Sequence, residues 1–148
     1  MITEDSVEID APAQLVWQVF SDVERWPEWT ASVSSLVARD GAGLDVGKRF
    51  AIKQPGMSKL VWKVTEIDPG SSWTWVQRSP GVRVSARHWV IPQPTGRTLV
   101  RQQLEQGGVL GALVGRLMVK KTKRFLELEA QGLKARSEQL SRADGSHA

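Results

Sequence analysis

The sequence predicts an α+β fold in which one long C-terminal helix packs on a curved antiparallel sheet. From Val109 to Ser141, apolar residues recur at three- and four-residue steps, which is typical of one amphipathic helix. Between residues 33 and 105, apolar and polar residues alternate in short runs separated by turn sequences, which is typical of antiparallel strands. A twisted sheet must bury its concave face, and only the closing helix is long enough to cover it.

The first part of the chain predicts one strand and two short helices. Ser6 to Ile9 is a candidate strand. The segment Asp10-Ala11-Pro12 is expected to start a helix, because proline is tolerated in the first helical turn. Asp22 is a candidate cap for a second helix, which Pro27 is expected to end after Trp26.

Six further strands follow, separated by turns rich in glycine, proline and aspartate. They are predicted at Val33–Arg39, Arg49–Lys53, Lys59–Ile67, Ser72–Arg78, Val82–Ile91 and Arg97–Glu105. Within the strand from Lys59, the face with Leu60, Trp62 and Val64 is predicted to be buried. Gly107-Gly108 then ends the sheet before the long helix.

Composition excludes several functional classes. A chain of 148 residues can bury a core without disulfides or metals, and the absence of cysteine excludes thiol catalysis. The N-terminus does not have the pattern of a signal peptide, and no apolar run is long enough to span a membrane. We therefore expect a cytoplasmic protein with no metal and no cofactor. Residues 1–141 are expected to form one domain, followed by a disordered tail at 142–148.

The net charge of +4 is unevenly distributed. Residues 1–29 contain seven acidic side chains and one arginine, whereas residues 116–138 contain seven cations and three carboxylates. A basic stripe of this kind can meet nucleic acid or anionic lipid. Because no nucleic-acid motif accompanies it, we favour a solvated helix face beside the acidic N-terminal segment. We expect neither nucleic-acid binding nor stable membrane insertion, and the sequence does not indicate an oligomeric state.

Large aromatic rings are numerous for a core of one sheet and one helix. The chain has seven tryptophans and three phenylalanines but no tyrosine. Trp62, Trp73 and Trp75 fall on the predicted inner face of adjacent strands. Aromatic walls with few polar groups suit a flat, apolar ligand. From the residues alone, rings that simply fill the interior are the simpler interpretation.

His88 is the only histidine before the tail and the first candidate for chemistry. It shares a strand face with Val84 and Val90, which predicts an inward side chain, although the opposite face is also apolar and leaves the register open. An imidazole can orient or protonate a ligand carbonyl near neutral pH; the alternative is a core histidine with a local hydrogen-bond partner. Gln77 and Gln102, on predicted inner faces, could bind a ligand oxygen or a buried water.

Several segments carry a resemblance to a known superfamily. They are Ile9–Pro12, Val16-Trp17, Asp22–Trp29, Val46–Phe50, Trp62–Pro69 and Arg97–Val100. Together with the order of elements, they resemble the helix-grip (SRPBCC) superfamily, which contains the START lipid-transfer domains, the birch-pollen allergens and the aromatic polyketide cyclases. The resemblance is to its bacterial polyketide cyclase/dehydrase and lipid-transport group, and it covers about residues 3–138.

The resemblance implies a seven-stranded helix-grip fold with a deep, mainly apolar cavity between the sheet and the C-terminal helix. It favours binding of an apolar small molecule of lipid, quinone or polyketide type. One alternative is a cyclase or dehydratase-like enzyme that uses His88 as acid or base. The other is a regulatory or co-chaperone-like module that acts through the basic helix face. Candidate ligand-binding residues are Phe20, Trp29, Leu60, Trp62, Trp75, Gln77, His88, Gln102, Leu113 and Leu117.

One departure from the superfamily concerns its enzymes. Aromatase and cyclase members tend to use tyrosine, arginine and serine inside the pocket, and this chain has no tyrosine. Alternation puts Arg83, Ser85 and Arg87 together on the face opposite His88, so they form a catalytic set only if the register is inverted.

The long helix is expected to serve two purposes along its length. Its N-terminal part, from Leu110 to Met118, is the more apolar part and is expected to face the cavity. The segment from Phe125 to Leu133 is expected to pack on solid sheet. Gly111 and Gly115 are spaced so that the helix can approach the sheet closely.

Overall fold

The computed structural model describes residues 1–145. Helix α1 spans Ala13–Ser21, a 3₁₀ helix spans Val23–Glu28, and helix α2 spans Gly111–Gly145. Strands β1 to β7 span Ile2–Ile9, Ser35–Ala38, Arg49–Lys53, Leu60–Asp68, Ser72–Ser79, Val82–Pro92 and Thr98–Gly107. No helix within residues 1–145 is both long enough and apolar enough to cross a membrane.

The strands form one curved antiparallel sheet in the order β1-β7-β6-β5-β4-β3-β2. Successive strands from β2 to β7 pair with their neighbours in the chain, and β1 joins the far edge by pairing with β7. Helix α2 closes the concave side. This arrangement, with the two short helices after the first strand, confirms the predicted α+β helix-grip fold.

The bounds of the first strand and of the 3₁₀ helix differ from the prediction. Strand β1 begins at Ile2, because the whole N-terminal segment pairs with β7. Pro27 lies inside the 3₁₀ helix and does not end it after Trp26, and Asp22 makes no side-chain cap. The 3₁₀ helix ends where the backbone N–H groups of Trp29 and Thr30 both donate to the carbonyl of Trp26.

Helix α2 continues to Gly145 and does not end at Ser141. Residues 142–145, which were predicted to belong to a disordered tail, are therefore helical. The rest of that predicted tail, 146–148, lies outside the described residues.

The face of α2 that meets the sheet is also different from the predicted one. Its buried residues are Gly111, Gly115, Thr122, Leu126, Glu129, Ala130, Leu133 and Ser137. A Cβ atom added at Gly111 or Gly115 would come within 2.7 or 2.6 Å of a neighbouring atom, so the helix approaches closest through its glycines, as expected. Leu113 and Leu117 consequently point away and are 56% and 76% exposed. The prediction that they face the cavity is wrong.

Tightly packed rings fill the interior under α1 and the 3₁₀ helix. Phe20 meets Trp73 edge to face at 4.7 Å and stacks on Trp26 at 5.6 Å. The indole Nε1 of Trp26 donates to the carbonyl of Phe20 at 2.8 Å, so this buried polar atom is satisfied. At this end of the sheet the aromatic residues form a solid core.

Candidate functional site

At the end of the sheet away from the aromatic core, a cavity of about 400 Å³ separates the sheet from the first half of α2. A volume of this size is in the range of small-molecule sites. The apolar residues that line it are Trp26, Val33, Ile52, Met57, Leu60, Trp62, Trp75, Val82, Val84, Ala86, Leu104, Leu110, Val114, Met118, Phe125 and Leu126. Its mouth is marked by exposed lining residues where β5 turns into β6, at Ser79-Pro80, and by Leu110 just before α2.

The packing of α2 explains why this space is open. The helix lies mainly over β1 and β7, with few contacts to β6 and closer approach at Gly111 and Gly115. Helix α2 therefore leaves open the part of the inner face that Trp62 and Trp75 occupy, and Trp26 of the 3₁₀ helix borders this space with its ring 5.4 Å from that of Trp75.

Six of the ten candidate ligand-binding residues line the cavity, and the other four do not. Those that line the cavity are Leu60, Trp62, Trp75, Gln77, His88 and Gln102. Phe20 is fully buried in the ring cluster beside His88, with centroids 5.3 Å apart. Trp29 lines a second groove, between α1 and the end of α2. Leu113 and Leu117 face solvent for the reason given above.

His88 points inward, with Trp73 and Gln102 as its cross-strand neighbours. Its ring stacks on Trp73 at 4.0 Å, and its Nδ1 lies 3.1 Å from the carbonyl oxygen of the same residue. Because a carbonyl only accepts, Nδ1 carries the proton and Nε2 keeps a lone pair. Burial lowers the pKa of His88 to about 3, and the bond to Trp73 opposes this only in part. Near neutral pH the imidazole is therefore a hydrogen-bond acceptor and carries no proton to donate through Nε2.

Glu129 lines the cavity but was not among the site residues predicted from the sequence. It lies on the buried face of α2, where Ser32 Oγ donates to its Oε1 at 3.1 Å and Thr30 Oγ lies 2.9 Å from Ser32 Oγ. Burial raises the pKa of Glu129 to about 8, and the bond from Ser32 opposes this rise. Within residues 1–145, no cation forms an ion pair with it. Glu129 is therefore mostly protonated at neutral pH and has an O–H to donate.

A signal for Glu129 was present in the sequence. It falls three residues after Leu126 and four before Leu133, which is the spacing of one helix face. A carboxyl between two leucines at that spacing lies either at the exposed margin of the apolar helix face or in the buried interior. Only the orientation of the packed helix distinguishes these two positions.

Glutamine side chains supply further polar groups. The amide nitrogen of Gln77 donates to Ser79 Oγ, which leaves its oxygen free to accept. Gln102 donates to the carbonyl of Leu126 at 3.4 Å, and its Oε1, like that of Gln106, is buried without a partner among the described residues. Unpaired buried acceptors cost free energy, so a donor that reached them would stabilise the protein.

The strand face opposite His88 carries Arg83 and Ser85, as alternation predicts. Arg87 is on that face too and donates to Gln103 Oε1 at 2.9 Å. The register is not inverted, so these side chains alternate with His88 along β6, although Arg87 also borders the cavity. Within residues 1–145, no group of three or more histidine, aspartate or glutamate side chains could hold a metal ion.

These features define a class of protein: a helix-grip domain with a mainly apolar cavity beneath its C-terminal helix. The family model for polyketide cyclase/dehydrase and lipid transport matches residues 2–138, and the chain belongs to that family.

Solved structures of similar proteins agree with this fold. The aromatase/cyclase Zhui from Streptomyces sp. R1128 is 19% identical, with a TM-score of 0.76 and 98% of each chain covered. A START superfamily protein from Mycobacterium smegmatis is 21% identical, with a TM-score of 0.68 over 94% of this chain and 98% of that one. A hypothetical protein from Helicobacter pylori is 17% identical, with a TM-score of 0.77 over 93% of this chain and 88% of the other. At these identities the similarity concerns the fold alone.

Proposed function

We propose that the protein binds an apolar small molecule of lipid, quinone or polyketide type in the cavity between the sheet and α2. The observation that carries this proposal is the cavity itself, which adjoins a tightly packed core and has a volume of about 400 Å³. A domain that acted only as an interaction module would not need to leave this space open, because an unfilled apolar cavity costs stability. A ligand that filled it would recover that free energy.

Polar groups in the lining favour a ligand with oxygen atoms over a plain hydrocarbon. His88 Nε2 and Gln77 Oε1 are acceptors for a ligand hydroxyl. The protonated carboxyl of Glu129 is a donor for a ligand carbonyl. Flat walls from Trp62 and Trp75 suit a ring system. Ketone- and hydroxyl-bearing rings, as in quinones and polyketides, have both kinds of group.

Native mass spectrometry of protein purified from its own host tests the proposal directly. We expect a retained small molecule that is absent after denaturation. Met118 lines the cavity, whereas Leu117, its neighbour on the same helix, is exposed. Met118→Trp should therefore fill the space and lose the bound mass, and the matched variant Leu117→Trp should retain it. Equal retention by both variants, or no retained mass in the wild-type protein, would contradict ligand binding in this cavity.

A second candidate is a cyclase or dehydratase-like enzyme, and the observation that favours it is the pairing of a protonated acid with a neutral base in one cavity. Glu129 would give a proton to a ligand carbonyl, and His88 would accept one from a carbon or a hydroxyl. Of the two expected roles of His88, acid or base, the lowered pKa of its imidazole favours the base. In a dehydration, His88 would take a proton from the carbon next to a carbonyl and Glu129 would give a proton to the hydroxyl that leaves as water. Incubation of the retained molecule with fresh protein, followed by mass spectrometry, would reveal this loss of water in the wild type and none in Glu129→Gln. An unchanged ligand mass with both proteins would favour a carrier.

A further inference from the structure

Four apolar side chains, two at the start of α2 and two just before it, are exposed next to the cavity mouth. Val109 is 92% exposed and Leu110 is 46% exposed, and Leu113 and Leu117 continue the row along the helix. Leu113 and Leu117 are four apart and lie on one helix face, and Val109 and Leu110 directly precede the helix. We call these four residues the leucine ridge. Contiguous exposed apolar surface of this kind is unusual on a protein that has no partner there.

Cations flank the leucine ridge, and among those nearest to Leu113 only Arg124 has an ion-pair partner within residues 1–145, Glu127 at 3.9 Å. Residues 109–126 contain five lysine or arginine residues and no aspartate or glutamate. At about 100° per residue, Arg116, Lys120 and Arg124 lie within roughly 60° of Leu113 around the helix axis. Among the ion pairs of residues 1–145, none involves Arg116 or Lys120.

The second half of α2 behaves differently. Lys134 pairs with Glu138 at 2.6 Å and donates to the carbonyl of Glu8 at 3.0 Å, and Arg136 pairs with Glu28 at 3.0 Å. The expected solvated helix face beside the acidic N-terminal segment therefore describes the second half of α2. It does not describe the first half, where Arg116 and Lys120 are exposed and make no ion pair within residues 1–145.

The leucine ridge is continuous with the cavity mouth. Leu110 belongs to both, and Val114, beside Leu113, lines the cavity wall. On the other side of the mouth, Lys121 Nζ donates to the carbonyl of Gly56 in the β3–β4 turn at 3.3 Å. A surface that covered the ridge would also cover the entrance.

We propose that the leucine ridge and its flanking cations dock the protein on an anionic lipid surface. An amphipathic helix binds such a surface by inserting its apolar side chains among the acyl chains and placing its cations at the head groups. Docking in this way puts the cavity mouth at the lipid surface. A second copy of the chain fits less well, because a symmetric pairing through the ridge would bring Arg116, Lys120 and Arg124 against the same cations of the partner. This inference does not depend on the cavity ligand, since it rests on the exposed side chains of the ridge and its cations.

Vesicle co-sedimentation of the full chain tests the proposal. The probes are vesicles of phosphatidylcholine alone and of phosphatidylcholine with ~30% phosphatidylglycerol. We expect at least ~10-fold stronger partitioning onto the anionic vesicles at ~50 mM salt, and a marked loss at ~200 mM salt, where the Debye length is shorter. The double variant Leu113→Ser/Leu117→Ser should lose ~10-fold or more, because two leucine side chains that insert among the acyl chains are replaced by polar ones.

Matched controls separate docking from unfolding. Leu140→Ser changes an exposed leucine at the other end of the same helix and should partition as the wild type does. Far-ultraviolet circular dichroism of the double variant should match the wild type, because both positions are exposed. Absence of binding to anionic vesicles at ~50 mM salt, or undiminished binding by the double variant, would overturn the proposal. It would also be overturned if sedimentation velocity gave a dimer that the double variant abolishes, since a second copy would then cover the ridge.

Discussion

The buried carboxyl of Glu129 should make the protein less stable as the pH rises through neutrality. Its pKa is raised from 4.5 to about 8 in the folded state, mainly by burial. The native state therefore keeps a proton that the unfolded state releases above 4.5. The contribution of protonated Glu129 to stability is complete below pH 4.5 and is lost as the pH approaches 8. Glu129→Gln, which is neutral and similar in shape, should remove this pH dependence.

The size of the effect follows from the same two values. At about 1.4 kcal/mol per pKa unit, the interval from 4.5 to about 8 corresponds to on the order of 5 kcal/mol. The adjoining cavity allows water to solvate the carboxylate in part, so we expect roughly 2 to 4 kcal/mol. Glutamine can still accept the hydrogen bond from Ser32, and little of the difference should therefore arise from a lost hydrogen bond.

Urea unfolding of the wild type and Glu129→Gln at about pH 5, 7 and 9 measures this difference. The free energy of unfolding of the variant, minus that of the wild type, should increase from pH 5 to pH 9. Glu127→Gln is the control, because Glu127 is exposed on the same helix, and its difference from the wild type should stay flat. A constant difference for Glu129→Gln across the three pH values would refute the assignment of Glu129 as a buried, protonated acid.

Three further outcomes test the site and the helix that covers it. The ¹⁵N resonances of His88 should show a protonated Nδ1 and an unprotonated Nε2 from about pH 8 down to 4, because its pKa is lowered to about 3; a titration near 6.5 would contradict this. Gly132→Ala should lower the free energy of unfolding by ~1–3 kcal/mol, because its Cβ would overlap the carbonyl of Trp29, and an unchanged midpoint in urea would show that the helix can shift. Leu126→Ala should cost ~2–3 kcal/mol and Leu117→Ala less than ~0.5 kcal/mol in thermal unfolding, and equal costs would mean that the buried face of α2 is misassigned.

The strand pattern was predictable because an antiparallel sheet with one buried face enforces alternation. Trp62 and Val64 are buried as the period of two indicates, and so are Trp73 and Trp75 on the next strand. The same alternation puts His88 inward, although apolar residues on both faces of its strand left the register open in the sequence. Pairing with both neighbouring strands decides it.

The orientation of α2 was not predictable from periodicity, because its sequence contains two stripes that repeat at helical spacing. Over the first two turns, the stripe with Leu113 and Leu117 carries the larger apolar side chains. The stripe with Gly111, Gly115 and Glu129 is the one that meets the sheet. Apolar content favours the first, but close approach of two backbones favours the second, since only glycine leaves room for the atoms already there. A pattern of hydrophobicity does not show where neighbouring atoms leave room only for glycine.

The cavity and the leucine ridge both follow from the face that α2 packs against the sheet. Glycine contacts hold the start of α2 against β1 and β7, so the helix cannot also lie over the inner face of β4 and β5, and the space there stays open. The same orientation turns Leu113 and Leu117 away from that space and leaves them beside its mouth. If leucine side chains had faced inward, they would have filled the cavity and left a polar outer surface. A protein that needs both an open interior and an apolar entrance can obtain them together by giving its closing helix a glycine contact face.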